Sequence, residues 1–226
     1  MVRASGVFKF ATILFVFIVG ILLAFQILDL QLDFKLPDIL SKSVPTNEAT
    51  VKPARAKCSL VRECPPAHFA FKMASGAASV VGPRICVEDQ ILMSSVKNNV
   101  GRGINIVTMN GRTGEVVKVA FFDMWAGDVE PFIKFLKEIE DGSVVMMASF
   151  DDPATKLNDE ARKLIADLGS SIISQLAFRD NWIFVGGKGI KTKSPFEQHI
   201  KNSADTNKFD GWPDVLEMEG CIPQKI

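Results

Sequence analysis

Apolar residues are unevenly spread along this chain. From Phe10 it reads FATILFVFIVGILLAFQIL, broken only by Thr12, Gly20 and Gln26, and Arg3 and Lys9 are the only charges before Asp29. A short basic region followed by an apolar run is the pattern of a secretory signal. Ala24, two residues after Leu22, offers a cleavage point, so residues 1–24 are expected to be a signal peptide. The rival is an uncleaved signal anchor, because ~20 apolar residues are enough to span a bilayer. Either way the remainder faces an oxidising lumen. Residues 25–56 carry Pro37, Pro45 and Pro53 and, from Ser41, the polar stretch SKSVPTNEATVKPARAK. This segment is expected to form a flexible, propeptide-like stalk.

Beyond the stalk the periodicity changes, and residues 57–226 are expected to form one globular domain. His68-Phe-Ala-Phe-Lys-Met73 alternates polar and apolar, the period of a half-buried strand. Ile85–Val87 and Gln90–Met93 are short strand candidates. Ile104–Met109 is β-branched and apolar, and Asn110-Gly111-Arg112-Thr113-Gly114 separates it from Glu115–Phe122, which predicts a hairpin. Val144–Ser149 and Asn181–Val185 read as buried strands. Two helices fit the capping rules. Asp128 precedes Glu130 and Pro131, with Phe132, Phe135, Leu136 and Ile139 on one face and Gly142 as the stop. Asn158 can cap the second, with Ala161, Leu164, Ile165 and Leu168 on one face and Gly169 at its end. About seven strands paired locally and two or three helices predict an α+β fold with antiparallel pairing.

Composition narrows the function. Lys+Arg and Asp+Glu are both 26, so no bulk positive charge recommends a nucleic-acid partner. The four cysteines, Cys58, Cys64, Cys86 and Cys221, lie in the lumenal part and predict two structural disulfides, with three connectivities open. Gly-x-Ser-x-Gly, HExxH, Walker A and GxGxxG motifs are absent, and so is any Asp-x-Asp pair. No enzyme activity, cofactor or metal is therefore expected. There is no Asn-x-Ser/Thr sequon. Gly186-Gly187-Lys188-Gly189 is expected to be a tight turn rather than an anion nest. His68 and His199 are expected at the surface or as caps.

Two charged clusters flank buried strands: Asp151-Asp152 after the Val144 strand, and Arg179-Asp180 before the Trp182 strand. Their plain reading is a turn-capping acid pair and a structural salt bridge. Charged groups at strand ends with indoles nearby are also what a sugar-binding surface needs. Carboxylates accept from hydroxyls, arginine donates in a fork, and an indole face covers C–H groups. Trp125, Trp182 and Trp212 are the candidate platforms.

HFAFKMASGAASVVGPRICVEDQILMSSVKNNVGRGIN, FDMWAGDV, DDPATKLNDEARKLIADLGS, FRDNWIFVGGKGIKTKSPFEQHIKN and NKFDGWPDVLEMEGCIP resemble the secreted family of interleukin-like epithelial–mesenchymal transition inducer and pancreatic-derived factor. The resemblance covers about Lys57 to Lys225. It implies two antiparallel sheets packed as a sandwich with short helices outside, stapled by Cys58–Cys86 and Cys64–Cys221. It implies a secreted, cytokine-like protein that reaches the extracellular space through the ER and Golgi and acts on a cell-surface receptor. Members of the inducer branch often carry a fifth cysteine, associated with covalent self-association, where this chain has Val185. A monomer or a non-covalent dimer is therefore expected, with no stable membrane association once the signal is cleaved. The domain is also similar to the stem module of protein O-mannose N-acetylglucosaminyltransferase, a lectin for β-linked N-acetylglucosamine. That likeness implies a glycan pocket at Arg102, Asp151 and Arg179.

Overall fold

The computed structural model describes residues 14–21, 23 and 56–224. The chain divides into two compact units, 1–53 and 54–226. In the first, residues 14–21 and 23 are helical. The rest of the expected signal peptide, 1–24, and nearly all of the expected stalk, 25–56, lie outside the described residues. Among those described, no helix is long and apolar enough to cross a membrane.

The second unit contains nine strands: β1 (His68–Ala74), β2 (Arg84–Val87), β3 (Gln90–Met93), β4 (Gly103–Asn110), β5 (Val116–Phe122), β6 (Ser143–Phe150), β7 (Asn181–Gly187), β8 (Phe196–Ile200) and β9 (Glu217–Pro223). Two α-helices, α1 (Glu130–Lys137) and α2 (Asp159–Asp167), interrupt them. The strands form a four-stranded sheet in the order β3-β2-β1-β9 and a five-stranded sheet in the order β5-β4-β6-β7-β8. Every pairing is antiparallel.

The five-stranded sheet is covered on both faces. On one side Ile104, Ile106, Val145, Met147, Trp182 and Phe184 pack against Phe132 and Leu136 of α1 and Ala161 and Ile165 of α2. On the other, Val107, Met109, Val144, Met146, Ile183 and Val185 pack against Phe69, Phe71, Met73, Ile85 and Met218 of the smaller sheet. This explains why β6 and β7 read as unbroken apolar runs: a strand buried on both faces has no polar side to alternate with. Helices, large sheet and small sheet thus make three layers: the α+β fold that the sequence predicts, packed as the sandwich that the resemblance implies.

The hairpin between β4 and β5 closes at Asn110, whose Oδ1 accepts from the amides of Arg112 and Thr113. Asn158 caps α2, its Oδ1 accepting from Ala161 N at 2.9 Å. The disulfides are Cys58–Cys86 and Cys64–Cys221, the connectivity that the resemblance implies.

Three expectations need correction. The described residues form nine strands, not seven, because β8 and β9 were not foreseen. FEQHI and EMEGCIP mix charges with apolar residues without clean alternation, since both strands lie at sheet edges. Helix α1 ends at Lys137, short of Gly142, which instead occupies the turn into β6. His199 is not a surface residue; its side chain is only 9% exposed and pairs with Asp180.

Candidate functional site

Antiparallel order brings one set of strand ends together. Gly103 at the start of β4 lies opposite Phe150 at the end of β6, and Ile104 lies opposite Phe122 at the end of β5. The start of β7, Asn181, lies opposite Ile200 at the end of β8. Arg102, Asp123, Asp151, Asp152, Arg179 and Asp180 all follow or precede these ends by a residue or two. The three candidate residues named from sequence therefore share one rim of the five-stranded sheet.

Each is held differently. Gly103 has φ +105°, and a Cβ there would come within 2.0 Å of Phe122 O, so only glycine lets the chain turn here. That turn sends Arg102 towards Asp123, which it grips through Nε (3.1 Å) and Nη2 (2.7 Å). The Asp123 carboxylate also accepts from the amides of Trp125 and Ala126. The Arg102 fork, helped by these amides, pulls its pKa down from 3.8 to about 2. Asp123 is therefore charged in the folded state at pH values where it is already protonated when unfolded. Its contribution is present above about pH 4 and is lost as pH falls towards 2. Arg102→Met should lower the urea-unfolding midpoint modestly at neutral pH, as for any partly exposed pair, leave it little changed near pH 2, and so flatten the fall between.

Asp151 and Arg179 both have left-handed backbones, with φ +60° and +57°. Such strain in non-glycine residues costs on the order of 1–3 kcal/mol each and persists only where the surroundings enforce it. Asp151 Oδ1 accepts from Trp212 Nε1 at 3.1 Å. The Arg179 guanidinium lies between two rings, 4.0 Å from the Trp212 centroid and 4.8 Å from that of Phe178. Phe178 in turn meets Trp125 at 5.5 Å. Trp125 and Phe178 are 44% and 42% exposed. Contacts thus run from Arg102 through Asp123, Trp125, Phe178, Arg179 and Trp212 to Asp151.

Neither plain reading of the charged clusters holds in full. Asp151 bridges no arginine, and Arg179 has no carboxylate within 4.0 Å among the described residues. Asp180, rather than Arg179, forms the structural pair. It accepts from His199 Nε2 (2.7 Å), Asn202 N (2.7 Å) and Ala177 N (2.9 Å). Burial works against its charge, but His199 and these amides outweigh it and hold its pKa below the usual range. Asp152, 1% exposed, does cap a turn, accepting through Oδ1 from Ala154 N and also from Arg179 N.

Two polar atoms at this rim have no partner. Among the described residues, Asp152 Oδ2 and Arg179 Nε are the buried side-chain nitrogen and oxygen atoms without a hydrogen bond. One can accept and the other can donate. Beside Arg179 lies an open cleft of about 590 Å³, lined also by Asn202, Asn207, Lys208, Phe209 and Gly211.

Of the three tryptophans, Trp182 is no platform. It is fully buried, and its Nε1 donates to Glu197. The Gly186–Gly189 run finishes β7 and turns at Lys188-Gly189: the amides of Gly187 and Lys188 donate to Leu168 O and Ser143 O rather than forming an anion nest. Among the described residues no group of three or more His, Cys, Asp or Glu is placed to hold a metal. Sequence reasoning missed Asp123, Phe178 and the orphaned Asp152 carboxylate. FDMWAGD placed Asp123 beside Trp125, but the register that turns Arg102 onto it is not a local signal.

Architecture and rim together define a disulfide-stapled α+β domain with a charged, aromatic-edged rim at one end of its larger sheet. A family model described as interleukin-like EMT inducer matches residues 102–190, a span that holds Arg102, Asp151 and Arg179. The chain is 62% identical over 225 residues to Protein FAM3C of Danio rerio, covering 100% of this chain and 99% of that protein. It is 59% identical to Protein FAM3C and 52% identical to Protein FAM3D of Homo sapiens, each match covering 99% of both chains. The chain belongs to the interleukin-like EMT inducer family.

Proposed function

We propose that this chain is a secreted, cytokine-like signalling protein that acts by binding a cell-surface receptor rather than by catalysis. Epithelial–mesenchymal transition, differentiation and metabolism are the responses to examine. Full-length similarity to FAM3C carries this reading. The basic-then-apolar N-terminus supports delivery through the ER and Golgi, and the two bridges suit an extracellular life. All four cysteines are paired within the chain, which favours a monomer or a non-covalent dimer. The test is proximity labelling on intact cells with the protein recovered from medium. A surface protein enriched saturably over a tag-only control is expected. Labelling indistinguishable from that control would exclude the receptor reading.

A second reading is favoured by the rim: recognition of a neutral, hydroxyl-rich glycan of the β-linked N-acetylglucosamine type. Arg179 lines an open cleft, and the partly exposed Trp125 and Phe178 beside it offer aromatic surface for sugar C–H groups. A receptor glycan would join the two readings. One small sugar should bind with a Kd of about millimolar to tens of micromolar, because few groups make contact. Arg179→Ala should abolish that binding in ligand-detected NMR. It should also cost about 1–2 kcal/mol of stability, because two cation–π contacts disappear. Absence of any sugar signal on the unaltered protein would end the glycan reading.

A further inference from the structure

Three dipeptides in this chain carry the same latent chemistry: Asn110-Gly111, Asp141-Gly142 and Asp210-Gly211. In each, glycine lets its own backbone nitrogen reach the preceding side-chain carbonyl carbon. The fold treats them differently. Gly111 N–H donates to Gly142 O at 3.0 Å, and Gly142 N–H donates to Lys188 O at 3.0 Å. Both nitrogens are tied into the sheet end where β4, β6 and β7 meet. Gly211 N–H has no partner among the described residues, and neither has the exposed Asp210 carboxylate. These two residues are the centre of a tight turn closed by Trp212 N donating to Phe209 O (3.2 Å) and Phe209 N donating to Trp212 O (3.0 Å). Gly211 has φ +85°, as the third position of a type II turn requires, and its N–H points away from the turn's own bond.

We propose that Asp210-Gly211 is a site of spontaneous aspartate isomerisation, and that the product releases Trp212 from Arg179. The Gly211 nitrogen bonds to Asp210 Cγ. The carboxyl hydroxyl leaves with the amide proton as water, closing a five-membered succinimide. Water then opens the ring. Attack at one carbonyl restores aspartate; attack at the other routes the main chain through Cγ as isoaspartate. One water leaves and one enters, and nothing is oxidised or reduced.

The consequence follows from position. Isoaspartate adds an atom to the backbone between Phe209 and Trp212, so their reciprocal hydrogen bonds can no longer both form. Trp212 is what covers Arg179 on one side and donates to Asp151. Gly211 itself sits so close that a Cβ there would lie 2.9 Å from Arg179 Nη1. A lengthened turn therefore opens one wall of the rim, on the timescale of protein ageing. This holds whether the rim serves a receptor, a glycan or neither.

The test ages the full chain, recovered in oxidised form from secretory cells, at physiological temperature in mildly acidic and in neutral buffer. Isoaspartate is then read by fragment-ion mapping and by methyl transfer from S-adenosylmethionine with an isoaspartyl methyltransferase. Accumulation at Asp210 should exceed that at Asp141 by about tenfold or more, since the latter reacts only when its amide bond opens. It should also outrun deamidation at Asn110. The reduced, denatured chain should show the opposite order, with Asn110 fastest and the two aspartates alike. Asp210→Glu should remove nearly all methyl acceptance from the native protein at unchanged Tm. Comparable isoaspartate at Asp141 and Asp210 in the native protein, or none at Asp210, would overturn the assignment. Fluorescence compared with a Trp212→Phe variant reads the second step. A red-shifted Trp212 component in the isomerised fraction is expected, and an unshifted one would overturn the release of Trp212.

Discussion

Replacing Cys64 and Cys221 together by serine should remove about 5 kcal/mol of stability. The bridge joins residues 157 positions apart. In the loop-entropy model the bridge restricts the unfolded chain, and for so long a loop its removal returns about 5 kcal/mol of conformational entropy to the unfolded state. Typical domains have only 5–15 kcal/mol in total. The bridge also fastens the segment before β1 to the edge strand β9, which packs Met218 and Ile222 into the interface between the sheets. The Cys58–Cys86 bridge spans 28 positions, so its removal should cost less, about 3–4 kcal/mol in the same model. Urea unfolding of the two serine pairs under non-reducing conditions ranks them. Equal midpoints would show that strain or residual structure, not loop length, sets the effect.

Trp182→Ala should cost about 3–5 kcal/mol, through a cavity behind the helices and a broken polar network. Trp182 is fully buried and lies nearly parallel to Phe184, with centroids 5.6 Å apart. Its Nε1 donates to Glu197 at 3.0 Å, and the same carboxylate accepts from Ser170 Oγ, Ser171 N, Ser171 Oγ and Ile172 N. One acid from edge strand β8 thus ties the loop after α2 to the core. For a domain of this size the loss corresponds to a fall in Tm of about 6–20 °C. Trp182→Phe separates the two causes, since it keeps most of the volume and removes only the N–H. It should cost about 1–3 kcal/mol, the price of an unmet bond to a charged group. A Phe variant as unstable as the Ala variant would mean that packing alone matters little here.

Most of the larger sheet was readable from the sequence. β4, β6 and β7 are buried on both faces and so appear as apolar runs, and Asn158 marks the start of α2 by capping it. β8 and β9 were not readable, because edge strands keep charges such as Glu197 and Glu219 facing solvent or local amides, and no period survives. The rim was readable in part. Arg102, Asp151 and Arg179 could be named and do lie at one sheet end. Their actual partners could not. Asp123 meets Arg102 only because β4 and β5 pair in one register, and Trp212 reaches Arg179 only after the chain has crossed β8. Nor does sequence reveal that Asp152, an exposed-looking loop acid, is almost fully buried with one oxygen unpaired.

The pairing of β1 with β9 has a kinetic side. The two strands are neighbours in space, yet nearly the whole domain lies between them in the chain. Contacts so remote in sequence are slow to find and cannot nucleate folding. The helices and the five-stranded sheet draw on closer segments and can assemble first. Until β9 arrives, the face bearing Val107, Met146 and Ile183 has only part of its cover. A chain caught before β9 docks would therefore expose apolar surface until the last strand pairs with the first. The rate at which β9 docks, more than final stability, would then decide how much of the chain aggregates before it folds.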